Sequence, residues 1–92
     1  MAAKFKFPKH SISRIAFIDE DRYPEIANEL LKYFDYHCDI HGNQSMTIDS
    51  ESIFSYIEES EAKNIFSTKE ILQPVLDAME RQNIDQLHIY KG

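Results

Sequence analysis

Asp49-Ser50-Glu51-Ser52-Ile53-Phe54-Ser55-Tyr56-Ile57-Glu58-Glu59-Ser60-Glu61 reads as the end of a strand followed by a helix. Just before it, Met46 and Ile48 share one face by period-two spacing. Within it, Ile53, Phe54 and Ile57 fall at i, i+1 and i+4, which lets one helical face reach a core. The carboxylates Asp49, Glu51, Glu58, Glu59 and Glu61 fall mostly on the other face, and no Lys or Arg follows until Lys63. The stretch therefore sets a helix behind a strand and offers the surface most suited to a partner.

Moving toward the N-terminus, Tyr36–Asp49 reads as a β-hairpin. Gly42-Asn43 tolerates positive φ and supplies the turn. Tyr36, Cys38 and Ile40 share one face, while His37, Asp39, His41, Thr47 and Asp49 point to solvent. Tyr23, Ile26, Ala27, Leu30, Leu31 and Phe34 recur every three or four residues and predict an amphipathic helix, with Glu25, Asn28, Glu29 and Lys32 on its wet side. Asp21 is the expected N-cap, with Pro24 in the first turn. Ile15-Ala16-Phe17-Ile18 is an apolar run that predicts a strand buried on both faces at a sheet centre. Lys4-Phe5-Lys6-Phe7 alternates and ends at Pro8, so residues 1–10 read as a basic arm or edge strand.

Toward the C-terminus, Asn64 stops the acidic helix. Ser67-Thr68-Lys69-Glu70 is a capping box with Ser67 as N-cap, and Phe66 with Ile71 forms a hydrophobic staple. Ile71, Leu72, Val75, Leu76 and Met79 continue an apolar stripe, interrupted by Pro74. Gln86-Leu87-His88-Ile89-Tyr90 makes the last strand. The 92 residues thus form one α+β domain, a two-layer sandwich whose βαββαβ order, with its second helix in two pieces, resembles the ferredoxin-like superfold. That superfold carries many functions and implies none.

Charge narrows the partners. Lys4, Lys6, Lys9 and Arg14 precede Asp19 with no acid among them, and all sixteen acids lie from Asp19 onward, for a net charge of −6. An acidic surface repels phosphate backbones and anionic lipid. Direct DNA binding and membrane binding are not expected; a basic surface of a protein or ribonucleoprotein complex is. A single cysteine excludes an internal disulfide, and no apolar run approaches the ~20 residues that span a bilayer, so the cytoplasm is the expected compartment.

No constellation converges on catalysis. His37, Asp39 and His41 invite a metal, yet four residues of strand span ~13 Å, too far for His37 and His41 to share one ion. Two glycines cannot build a phosphate loop, and Cys38 reads as a small buried hydrophobe with no activating base. Neither a metal nor a cofactor is expected. Asp19 at the end of the first strand resembles the metal-binding acid of small CRISPR-adaptation nucleases and toxin-like RNases, and that resemblance implies a remote nuclease alternative. In size, acidity and lack of motifs the chain resembles the phage-borne inhibitors of restriction and CRISPR machinery. That resemblance implies a non-enzymatic protein whose carboxylates imitate phosphates on a nucleic-acid-binding surface. Its expected contacts are Asp49, Glu51, Glu58, Glu59 and Glu61, then Asp19, Glu20 and Asp21, with Lys4, Lys6 and Lys9 as a second contact. The alternative is an adaptor or regulatory subunit of a homo-oligomer, such as a homodimer, paired through the sheet edge at residues 4–7 or 86–90.

Overall fold

A computed structural model describes Phe7 and residues 14–91. Seven elements follow in order: β1 (Ile15–Asp19), α1 (Pro24–Leu31), β2 (His37–Cys38), β3 (Gln44–Asp49), α2 (Ser50–Ala62), α3 (Ser67–Arg81) and β4 (Gln86–Lys91). They build a small α+β domain with one mixed four-stranded sheet and three helices. The arm expected over residues 1–10, with Lys4, Lys6 and Lys9, lies outside the described residues except for Phe7. That residue is buried, and its backbone N–H donates to Gln82 Oε1 at 3.2 Å.

The spatial order is β1-β4-β3-β2, with β1 parallel to β4 and the other pairs antiparallel. This order does not confirm the ferredoxin-like arrangement: the first and last strands are parallel neighbours, and the last strand lies inside the sheet. The register explains why. Leu87 and Ile89 are fully buried; Ala16 and Ile48 flank Leu87, and Ile18 and Met46 flank Ile89. Two three-residue apolar rows therefore centre on β4 and face the helices. Each Leu, Ile or Met side chain in these rows contributes ~1.5–3 kcal/mol of burial, and Ala16 less.

Two expectations about strands are corrected here. Residues 86–90 are no free edge, because β4 pairs on both sides; dimerisation by edge pairing there is closed off. Among the described strands β1 is at an edge, not a centre. Only Ala16 and Ile18 are buried; Ile15 and Phe17 are half-exposed on the face away from the helices. A run of four apolar residues reads alike in either position.

The hairpin is shorter than expected. Only His37 and Cys38 pair as β2. Asp39 takes over the turn, its carboxylate accepting from the backbone N–H groups of His41 and Asn43, and Gly42 has φ of 82°. With β2 so short, Cys38 is exposed and Ile40 almost fully so, which corrects the expected buried face; Tyr36 alone packs partly against the core.

Two helices, α1 and α3, depart from expectation at their starts, and α1 ends at Leu31, short of the stripe expected to reach Phe34. The cap of α1 falls on Tyr23 rather than Asp21, which lies in a turn where its N–H donates to Asp19 Oδ1 at 3.0 Å; Pro24 opens the first turn as expected. The cap of α3 falls on Phe66, one residue before the expected Ser67, and offers no side-chain acceptor. The two expected pieces of the second helix are two separate helices, and α3 runs unbroken through Pro74, forgoing that position's N–H. Both α2 and α3 end in the same way. Asn64 (φ 61°) and Asn83 (φ 57°) take the left-handed position. Ile65 and Ile84 then donate back to the carbonyls of Ser60 and Met79, both at 2.8 Å. In α2 the core-facing residues are Ile53, Tyr56 and Ile57; Phe54, expected in the core, stands 51% exposed. Among the described residues no helix is long and apolar enough to cross a membrane.

Candidate protein-binding surface

The stretch 49–61 begins with a chemical commitment. Asp49 ends β3 and caps α2, its Oδ1 accepting from the Ser52 N–H at 2.8 Å. Hydrogen bonds from Ser52 hold its carboxyl below the usual carboxylate range. Ser50 N–H donates to the Asp85 carbonyl at 2.8 Å, which ties the start of α2 to the segment after α3. The two helices therefore run antiparallel side by side.

Helical spacing then sets two stripes against each other. Glu51, Phe54 and Glu58 lie along one side of α2; Leu76, Asp77 and Glu80 lie along the facing side of α3. All six line one groove of about 730 Å³. Phe54 and the half-buried Leu76 form its apolar middle. One end is closed by Arg14, whose Nη2 lies 2.7 Å from Asp85 Oδ1 and also donates to Asn83 Oδ1. Among the described residues no Lys or Arg pairs with Glu51, Glu58, Asp77 or Glu80.

The expected contact residues separate into groups. Glu51 and Glu58 rim the groove. Asp49 is engaged as a cap. Glu59 pairs with Lys63 at 3.2 Å and Glu61 with Lys69 at 3.3 Å, so their charge is balanced within the helices. Asp19, Glu20 and Asp21 sit elsewhere: Asp19 is in register with Tyr90 near the end of β4, whereas Asp49 is in register with Gln86 at its start. The two acidic clusters thus occupy opposite ends of the sheet, ~13 Å apart along the strands. The Asp19 cluster surrounds Tyr36. Burial first, then the charge of Glu20, Asp19 and Asp21, pushes the Tyr36 hydroxyl up to about 12. Among the described residues there is no group of three or more His, Cys, Asp or Glu side chains arranged to hold a metal ion. Asp77 and Glu80 were not among the residues singled out by the charge run, because they lie in α3 and join the rim only through helix packing.

A third acid, in α1, also escaped the sequence reading. Glu29, assigned by spacing to the wet side of α1, is 2% exposed. Its Oε2 accepts from Thr68 Oγ1 at 2.7 Å and from Tyr56 OH at 3.1 Å; its Oε1 accepts from Lys32 at 3.2 Å. Burial pushes its carboxyl up, but the bonds from Thr68, Lys32 and Tyr56 outweigh this and hold it below its ordinary value of 4.5. Glu29 joins α1, α2 and α3 through a satisfied carboxylate, and its bonding capacity is used internally.

Comparison with protein-family models, with curated proteins and with solved structures finds no match to this chain.

Proposed function

We propose that this is a non-enzymatic interaction protein that docks an acidic face on a basic surface of another protein or ribonucleoprotein complex. Inhibition of a nucleic-acid-binding machine, of the anti-CRISPR or anti-restriction kind, is the form of that activity the small acidic chain suits best. The observation that carries the reading is the α2–α3 rim. Glu51, Glu58, Asp77 and Glu80 line one groove, and none of them is ion-paired to a Lys or Arg among the described residues. Like charges held together on a folded surface repel one another, and a basic partner relieves that repulsion. The rim, rather than the Asp19 cluster or the paired Glu59 and Glu61, is the surface to which the contact is assigned.

Binding to purified CRISPR-effector and restriction complexes, measured across about 50–500 mM salt, tests the reading. Affinity is expected to fall steeply with salt, to compete with the complex's nucleic acid, and to drop at least about ten-fold in a Glu51→Lys/Glu58→Lys variant, a change of ~1.4 kcal/mol. Binding that ignores both salt and the charge reversal would refute it.

A further inference from the structure

The rim carboxylates do not stand on a flat polar wall. Between them lie Phe54, half-exposed despite being a large aromatic, and Leu76. The exposed ring adds an apolar contact that carboxylates imitating phosphates do not themselves supply. Exposed apolar side chains rimmed by charge are instead the mark of a site that takes an amphipathic partner.

The shape restricts that partner further. Two antiparallel helices leave between them a groove into which the ridge of a third helix packs. Along α2, Glu51 and Glu58 are two turns apart, ~10.5 Å, with Phe54 between them. Along α3, Asp77 and Glu80 line the groove beside Leu76. Each helix thus brings two acids and one apolar side chain to the same groove. A helix with an apolar stripe at i, i+3 or i+4 and i+7, and Lys or Arg on either side of it, matches this pattern in spacing and in charge.

We infer that the α2–α3 groove receives a cationic amphipathic helix of the partner protein, its apolar stripe on Phe54 and Leu76 and its Lys or Arg side chains on Glu51 and Glu58 along one wall and on Asp77 and Glu80 along the other. This rests on the acidic-face reading and names the element that the face recognises. Because Phe54 is outside the core, it can be changed without removing core packing, which separates the two ideas experimentally.

The probe is a 15-residue Leu/Lys peptide with its leucines at helical period, beside a scrambled peptide of the same composition. Both are titrated into the ¹⁵N-labelled protein and followed by amide shifts. Shift changes are expected along residues 51–58 and 73–80, with the scrambled peptide at least about ten-fold weaker, and Phe54→Ser and Asp77→Lys each weakening the periodic peptide by a similar factor. Equal binding of the two peptides, or a Phe54→Ser protein of unchanged fold that keeps full affinity, overturns the inference. If Phe54→Ser still binds the basic complex while Glu51→Lys/Glu58→Lys does not, the groove inference falls and the acidic-face reading stands. If neither change weakens complex binding, the acidic-face reading falls with it.

Discussion

Glu29 shows what a single residue can hide. Its spacing groups it with Glu25, Asn28 and Lys32, and nothing within α1 marks it as buried. Its partners come from far along the chain: Tyr56 in α2 and Thr68 in α3. A buried carboxylate is tolerable only when its oxygens are fully bonded, and here Thr68, Tyr56 and Lys32 supply the donors. Glu29→Gln turns an amide N–H₂ toward groups that donate, and should cost ~1–3 kcal/mol in urea unfolding. The pH dependence follows the same atoms. Because the folded carboxyl sits below its ordinary 4.5, its contribution is fully present above that value and is lost as pH falls through the folded-state value. Between about pH 5 and 3 the wild type should therefore lose stability more steeply than Glu29→Gln; parallel curves would show that the bonds do not favour the ionised form. Thr68 is likewise turned inward. Its hydroxyl belongs to Glu29 inside the first turn, and the helix begins without a side-chain cap.

At the scale of elements, the ends of α2 and α3 were readable and their faces were only half so. Asn64 is visible as a stop because asparagine tolerates the left-handed backbone that closes a helix. Glycine tolerates it better. Asn64→Gly should raise stability by a few tenths to ~1 kcal/mol, whereas the β-branched Asn64→Val should lower it by ~1–2 kcal/mol; thermal unfolding of the two variants checks the order. Asn83 takes the same conformation and also accepts from Arg14, so glycine there would lose that bond and gain less. The faces of α2 are harder to read. Ile53, Phe54, Tyr56 and Ile57 span too wide an arc for all to reach one core, and spacing does not say which is left out. Packing chose Tyr56, because its hydroxyl reaches Glu29 while its ring stacks on Tyr33 with centroids 5.0 Å apart. Phe54 was displaced into the groove. The short β2 has a similar cause: Asp39 bonds the backbone of its own turn and stops the ladder.

For the whole molecule, the placing of β4 decides most. As the last strand in the sequence it reads as an edge, yet it has neighbours on both sides and carries two fully buried residues. Leu87→Ala removes a side chain packed between Ala16 and Ile48 in the neighbouring strands, and should cost ~2–5 kcal/mol. In a domain of this size that is a large share of the total, so the variant should unfold cooperatively at much lower urea. A loss below ~1 kcal/mol would show that β4 is peripheral. The same placing separates Asp19 from Asp49 and divides what charge counting presents as one acidic surface into two.

Legible along the chain are the kinds of element, their order, the stop at Asn64 and the acidic bias after Asp19. These follow from side-chain periodicity, backbone tolerance and composition, all of which act over a few residues. Long-range packing alone sets the strand order, the burial of Glu29, the exposure of Phe54, and the union of Glu51 and Glu58 with Asp77 and Glu80 on one groove. Each of those depends on contacts between residues far apart in the chain. Their free energy comes from shared burial and satisfied polar groups, quantities that no local pattern carries.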